Sequence, residues 1–159
     1  MSVFITVLSG VLVFVIGQIV VKLIIEPIND FKKERSKIIY DLVFYANKLA
    51  NPKGPDNTEM VEVCKVMRQH SSMLHSATHL IPFYQYVAFI FGLPTIKNIN
   101  EATSKLIYLS NSYAGVLDNQ AILNTYAMQE VKIALGVPIS QGDMLDPKLK
   151  RDFIKQASQ

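Results

Sequence analysis

Val3 to Val21 reads VFITVLSGVLVFVIGQIVV, nineteen residues without a charge. At 1.5 Å per residue a helix of that length covers about 28 Å, close to the ~30 Å hydrocarbon core of a bilayer. Lys22 follows directly and is long enough to snorkel its ammonium group back to the headgroups. No Lys or Arg precedes the run, it is longer than the apolar core of a signal peptide, and no A-x-A-like site follows it. The reading is therefore a membrane span and neither a cleaved leader nor a core helix, since nothing on it is polar enough to face water.

Outside that stretch the composition is ordinary. The chain is 159 residues long and 18% charged, and most of its apolar excess lies in the first 25 positions. What remains is long enough for one hydrophobic core and too short for two domains. The expected organisation is a transmembrane anchor over residues 1–26 and a helical-bundle domain over 27–159. Basic residues gather just after the span, at Lys22, Lys32, Lys33, Arg35 and Lys37. By the positive-inside rule they put the N-terminus outside and the domain in the cytoplasm, and they suit anionic lipid headgroups. A single cysteine, Cys64, fits a reducing compartment. The net charge of +3 is too small to argue for nucleic acid as a partner.

Helical periodicity dominates the rest, and no strand-like alternation of useful length occurs. Pro27 marks a kink or a first-turn restart after the span, which leaves open one nearly continuous rod. A second helix is expected from Asn29 or Asp30 to about Asn51, with Phe31, Ile38, Leu42, Tyr45, Ala46 and Leu49 on one side. Asn51–Asn57, NPKGPDN, is a loop dense in helix breakers. Asp56 with Glu59 resembles a capping box for a third helix, whose stripe is Met60, Val63, Met67, Leu74, Ala77 and Ile81. Between Pro82 and Pro94 lies a second apolar segment, FYQYVAFIFGL, too short to cross a bilayer. It is expected as a short helix buried in the bundle, with a membrane-facing helix as the alternative. Asn98 and Glu101 suggest a cap for a fourth helix through about Tyr113, with Ile99, Ala102, Leu106, Leu109 and Tyr113 inward. A fifth runs from about Gln120 to Leu135, carrying Ile122, Leu123, Tyr126, Ala127, Val131 and Ala134, and stops at Gly136 and Pro138. Asp146-Pro147 opens a short basic helix. The fold class is all-α: a transmembrane helix and a bundle of about four main helices with shorter pieces.

Catalytic signatures are sparse. The three histidines, His70, His75 and His79, lie on the third helix. Cys64, Arg68, Ser71, His75 and His79 fall within roughly 80° of one another on a helical wheel and read as a polar strip. His75 and His79 are spaced to share a metal ion, but two imidazoles without a carboxylate make a poor zinc site. Cys64 lies three turns away, about 16 Å along the axis. No metal and no cofactor is expected. His70 falls in the apolar stripe and reads as a satisfied core histidine, with pH sensing as the alternative. Within the span, Gln18 is a polar amide in need of a partner. Ser9, Gly10 and Gly17 are small enough for close helix approach, and Gly10 and Gly17 are one heptad apart. Self-association through Gly10, Gly17 and Gln18 is expected.

The layout of span and bundle, with IIEPINDFKKE after the span, FYANKLANP, IPFY and LIYLSNS, resembles a family of small bacterial inner-membrane proteins with no established activity. More loosely, Arg68-x6-His75 fits the Arg-x4–6-His pattern of the HEPN ribonucleases, and a span joined to a HEPN-like bundle is similar to the membrane accessory protein of type VI-B CRISPR systems. That second resemblance implies a homo-oligomeric pore in antiviral defence. It also offers Arg68 and His75 as a catalytic pair, although Gln69 stands where the nucleases carry an acidic or Asn-like residue. The expected function is a non-enzymatic, homo-oligomeric protein of the bacterial inner membrane, forming a pore or acting as a membrane effector in phage defence. Its partners would be the lipid bilayer and copies of itself. The alternatives are a tethered scaffold that recruits a cytoplasmic protein, and a membrane-bound HEPN-type ribonuclease.

Overall fold

The computed structural model describes residues 2–156, so residue 1 and the end of the expected domain, 157–159, lie outside the described part. Every described element is helical: α1 (Ser2–Val20), a π-helical turn (Val21–Ile25), α2 (Glu26–Phe44), α3 (Ala46–Ala50), α4 (Thr58–His79), α5 (Tyr84–Phe91), α6 (Ile96–Leu109), α7 (Gln120–Ala134), a 3-10 turn (Gln141–Asp143) and α8 (Pro147–Gln156). No strand occurs among the described residues.

The first two helices form one rod. It is continuous over Val3–Phe44, 42 residues, and none of its most apolar window is buried against the rest of the chain. Its length is about 63 Å, twice the hydrocarbon thickness, so half of it is long enough to cross a bilayer. Pro27 neither ends nor restarts the helix. Its missing N–H falls in the first turn of α2, and the turn before it widens, with the Glu26 N–H bonded to Val21 O five residues back. That widening accommodates the ring that would otherwise press on the preceding turn.

The rod then breaks at Tyr45 (φ −95°, ψ 8°), where the sequence suggested an unbroken helix to Asn51. The short α3 is drawn onto α7 by the buried Asn124, whose amide donates to Leu49 O at 2.8 Å. α4 starts on Asn57, whose side chain accepts from the Met60 N–H at 2.9 Å. The expected cap Asp56 lies one residue too early. Likewise α6 is capped by Thr95 accepting from the Asn98 N–H at 3.2 Å, three residues before the expected start. α6 also ends at Leu109, short of Tyr113.

Side-chain pairs set the directions of the helices. Lys48 reaches Glu59 at 3.4 Å, His70 reaches Asp41 and Glu34, and the ring of Tyr84 meets that of Phe31 at 6.1 Å. As residue numbers rise along α4 they fall along the rod, so α4 runs antiparallel to α2. Ser71 donates to Thr103 O and Arg68 to Asn111, so α6 runs back along α4. Gln120 donates to Tyr108 and Lys105 pairs with Glu130, which turns α7 antiparallel to α6. The result is an up-down-up-down bundle of α2, α4, α6 and α7. α7 closes as expected at Gly136 (φ 70°), where the Val137 and Gly136 N–H groups bond Lys132 O and Ile133 O at 2.9 Å each. This double bond to the last turn is the Schellman geometry that favours glycine.

Phe31, Ile38, Leu42, Leu49, Met67, Leu74, Leu106 and Leu109 are fully buried at the centre. Two details depart from the expected faces. Cys64 and Ser71, assigned to a polar strip, are buried beneath α6, and Ile122 points outward. α5 is half in and half out. Tyr84, Val87 and Ala88 face the core, while Phe83, Tyr86, Phe89 and Ile90 face away. The expectation of a buried segment is correct for one side of it only.

Candidate functional site

Three groups of residues were singled out by sequence, and the fold treats them differently. Arg68 and His75 share the exposed side of α4 but are seven residues apart, about two turns or 10 Å along the axis. The Arg68 guanidinium is engaged elsewhere, donating to Asn111 Oδ1 at 2.7 Å. His75 instead lines a shallow polar hollow with Ser71, Ser72, Asn100, Thr103 and Ser104. One chain does not bring the pair to a common point. A composite site would require a second copy.

The other histidines are accounted for by local geometry. The rings of His75 and His79 approach to 4.4 Å, and His79 Nδ1–H donates to the His75 carbonyl at 2.9 Å. No cluster of three or more metal-ligating side chains forms among the described residues. His70 is held between α2 and α4, with Nδ1 2.9 Å from Glu34 Oε1 and Nε2 2.7 Å from Asp41 Oδ2. Both ring nitrogens thus meet a carboxylate oxygen. Lys37 stands 3.5 Å from the other Glu34 oxygen. The arrangement is a buried polar clamp joining the rod to the bundle.

The span is where polar chemistry stands uncovered. A side chain built on Gly10 or Gly17 would meet nothing within 4 Å. Gln18 lies exposed on the same helix, about 80° around from Gly10 and about 100° from Gly17. In a bilayer these positions face either lipid or another protein.

No family model, curated protein or solved structure matches the chain.

The basic residues after the span divide by partner. Arg35 donates to Gly136 O at 3.1 Å and fastens the rod to the end of α7. Lys33 pairs with Asp30 at 2.9 Å, and Lys37 with Glu34. Lys22 and Lys32 are exposed on the rod.

One further group escaped the sequence reading. Between α6, α7 and α8 lies a cavity of about 270 Å³, bounded by Lys105, Tyr108, Leu123, Glu130, Lys150 and Ile154. Its charges are already paired: Glu130 bonds Lys150 and lies 2.9 Å from Lys105. Burial pushes the Glu130 carboxyl up, but hydrogen bonds and charge from Lys150 and Lys105 outweigh burial and hold it below its usual range. The cavity is at the small end for a ligand pocket, and its polar groups serve α8 docking. The apolar segment between Pro82 and Pro94, which the sequence did single out, leaves the outer face of α5 open, with Phe89 90% exposed and Phe83 81%. Its apolar residues recur on both sides of the helix, so periodicity alone does not separate inside from outside.

Proposed function

We propose that the chain is a non-enzymatic, single-pass protein of a bacterial inner membrane that works as a homo-oligomer, with its bundle in the cytoplasm. The observation that carries this reading is the set Gly10, Gly17 and Gln18 on an apolar helix that no other part of the chain covers. An amide such as Gln18 in hydrocarbon gains from a hydrogen-bonded partner, and Gly10 and Gly17 allow two backbones to approach closely. A second copy of the same helix supplies both. The cationic flank at Lys22 and Lys32, directly after the span, supports the cytoplasmic side for the bundle. Spans gathered around an axis would line a pore, and the resemblance to the type VI-B accessory protein suggests its use in phage defence.

Disulfide cross-linking in membranes tests the contact face, in a Cys64→Ala background. Gly10→Cys and Gly17→Cys are expected to form dimers, while Leu12→Cys and Ile19→Cys, on the opposite side of the helix, stay monomeric. Equal cross-linking at all four positions, or none, overturns the reading. A monomeric tether that recruits a cytoplasmic protein is the second reading, and the exposed apolar side chains of α5 are what favour it.

A further inference from the structure

We infer that α5 lies on the surface of the bilayer that the N-terminal helix crosses, with Phe83, Tyr86, Phe89 and Ile90 inserted at the boundary between headgroups and acyl chains. The first reason is position. α4 runs antiparallel to the rod, and it delivers Tyr84 to Phe31, with ring centroids 6.1 Å apart. Phe31 stands six residues beyond Ile25, the last apolar residue of the π-helical turn, which is about 9 Å along the helix. Ile28 is buried and Ile24 packs against the core, so the packed domain reaches down to the end of the span. α5 therefore sits at the level of the headgroups and not at the far end of the bundle.

Composition is the second reason. From Leu80 to Thr95 the chain has no charged residue, and the flanks are His79 and Lys97. The outward side chains are large, apolar and aromatic, which suits the interfacial region, where amphipathic rings collect. An exposed set of this kind on a domain floating free in water would invite aggregation. Held beside a span, it continues the apolar surface already in the membrane.

Backbone conformation is the third. Phe83 has φ 50° and ψ 43°, the left-handed region that bulky residues avoid, and it is the only non-glycine residue with positive φ among those described. The conformation turns the chain at Pro82 and leaves the Phe83 ring outward. At the other end, Gly92 (φ 63°) closes the helix, with the Leu93 N–H bonded to Ala88 O at 2.9 Å and Leu93 buried. Tyr84 Oη donates to Pro94 O at 2.8 Å across the base of the segment. Both ends of α5 are thus fixed, and its outer face is presented rigidly.

The chain contains no tryptophan, so a single introduced one reports its own surroundings. The full-length protein is reconstituted in vesicles of phosphatidylethanolamine and phosphatidylglycerol, with or without acyl chains brominated near the headgroup. The inference rests on the span being embedded, so Leu23→Trp serves as the reference and must be quenched by the brominated lipid. Phe89→Trp is expected to emit blue-shifted and to lose fluorescence to about the extent of Leu23→Trp. Phe44→Trp, at the distal end of the rod, is expected to lose none. Phe83→Trp and Tyr86→Trp, read the same way, guard against one variant that misfolds. Quenching at Leu23→Trp with water-like emission at the α5 positions would overturn the inference and leave the span intact. Blue-shifted α5 emission without lipid quenching would overturn it too, and would place a protein on that face. An unquenched Leu23→Trp would remove the membrane reading itself.

Discussion

The His70 imidazole lies 2.9 Å from the Glu34 carboxylate where both are about 95% buried, at 6% and 5% exposure. A carboxylate at that depth is tolerated because His70 and Lys37 address its two oxygens. Removing one partner leaves a buried charge, whereas removing both removes the problem. His70→Leu is expected to cost about 3 kcal/mol in detergent unfolding. Glu34→Leu with His70→Leu should cost less than His70→Leu alone, because the partly exposed Asp41 can turn to water. A double variant as unstable as the sum of its parts would contradict the clamp.

The caps provide a cleaner comparison. Asn57→Ala is expected to lose about 1 kcal/mol, the usual cost of an N-cap. Asp56→Ala should be close to neutral, since the Met60 N–H is bonded by Asn57. Equal losses in thermal melts of the two variants would return the cap to Asp56.

Glu130 ties α6, α7 and α8 together through Lys105 and Lys150. Because its folded carboxyl titrates below the unfolded value of about 4.3, its stabilisation is present above that pH and is lost as pH falls through the folded value. Unfolding midpoints measured from neutral pH into the acid range should show Glu130→Gln less stable at pH 7, with the difference closing below about pH 4. A difference that stays constant across the range would show that the ion pairs carry no stability.

Burial pushes the Cys64 thiol up, against hydrogen bonds from Tyr113 and Ser112 and the nearby charge of Arg68. Its Sγ faces Leu109 O beneath α6. Maleimide labelling of the native protein at neutral pH should therefore be slow and should become fast on denaturation. Rapid native labelling would mean that α4 and α6 separate readily.

What the sequence made legible follows strong periodicity and strong punctuation. The uncharged run to Val21, the Asn51–Asn57 loop and the stop at Gly136 each rest on local chemistry that no neighbour overrides. The misplaced features depend on neighbours. Asn57 and Asp56 are both good caps by residue type, and it is Asn57 that accepts from the Met60 N–H. Cys64 and Ser71 sit on a side of α4 that is polar by sequence yet covered by α6. The break at Tyr45 answers to Asn124, far along the chain. One signal was present in the sequence: Glu34 and Asp41, seven apart on the same face of α2 as Ile38 and Leu42, mark where a buried polar partner must sit. The proposed contact between copies rests on Gly10, Gly17 and Gln18, whose small or polar side chains are legible without any fold.

The mass of the detergent-solubilised full-length protein, with light scattering separating protein from micelle, bears most directly on that proposal. A discrete assembly of several copies, reduced in size by Gly17→Ile and by Gln18→Leu, is the expected result. A monomer at every protein concentration would contradict it and leave a tethered domain that works alone.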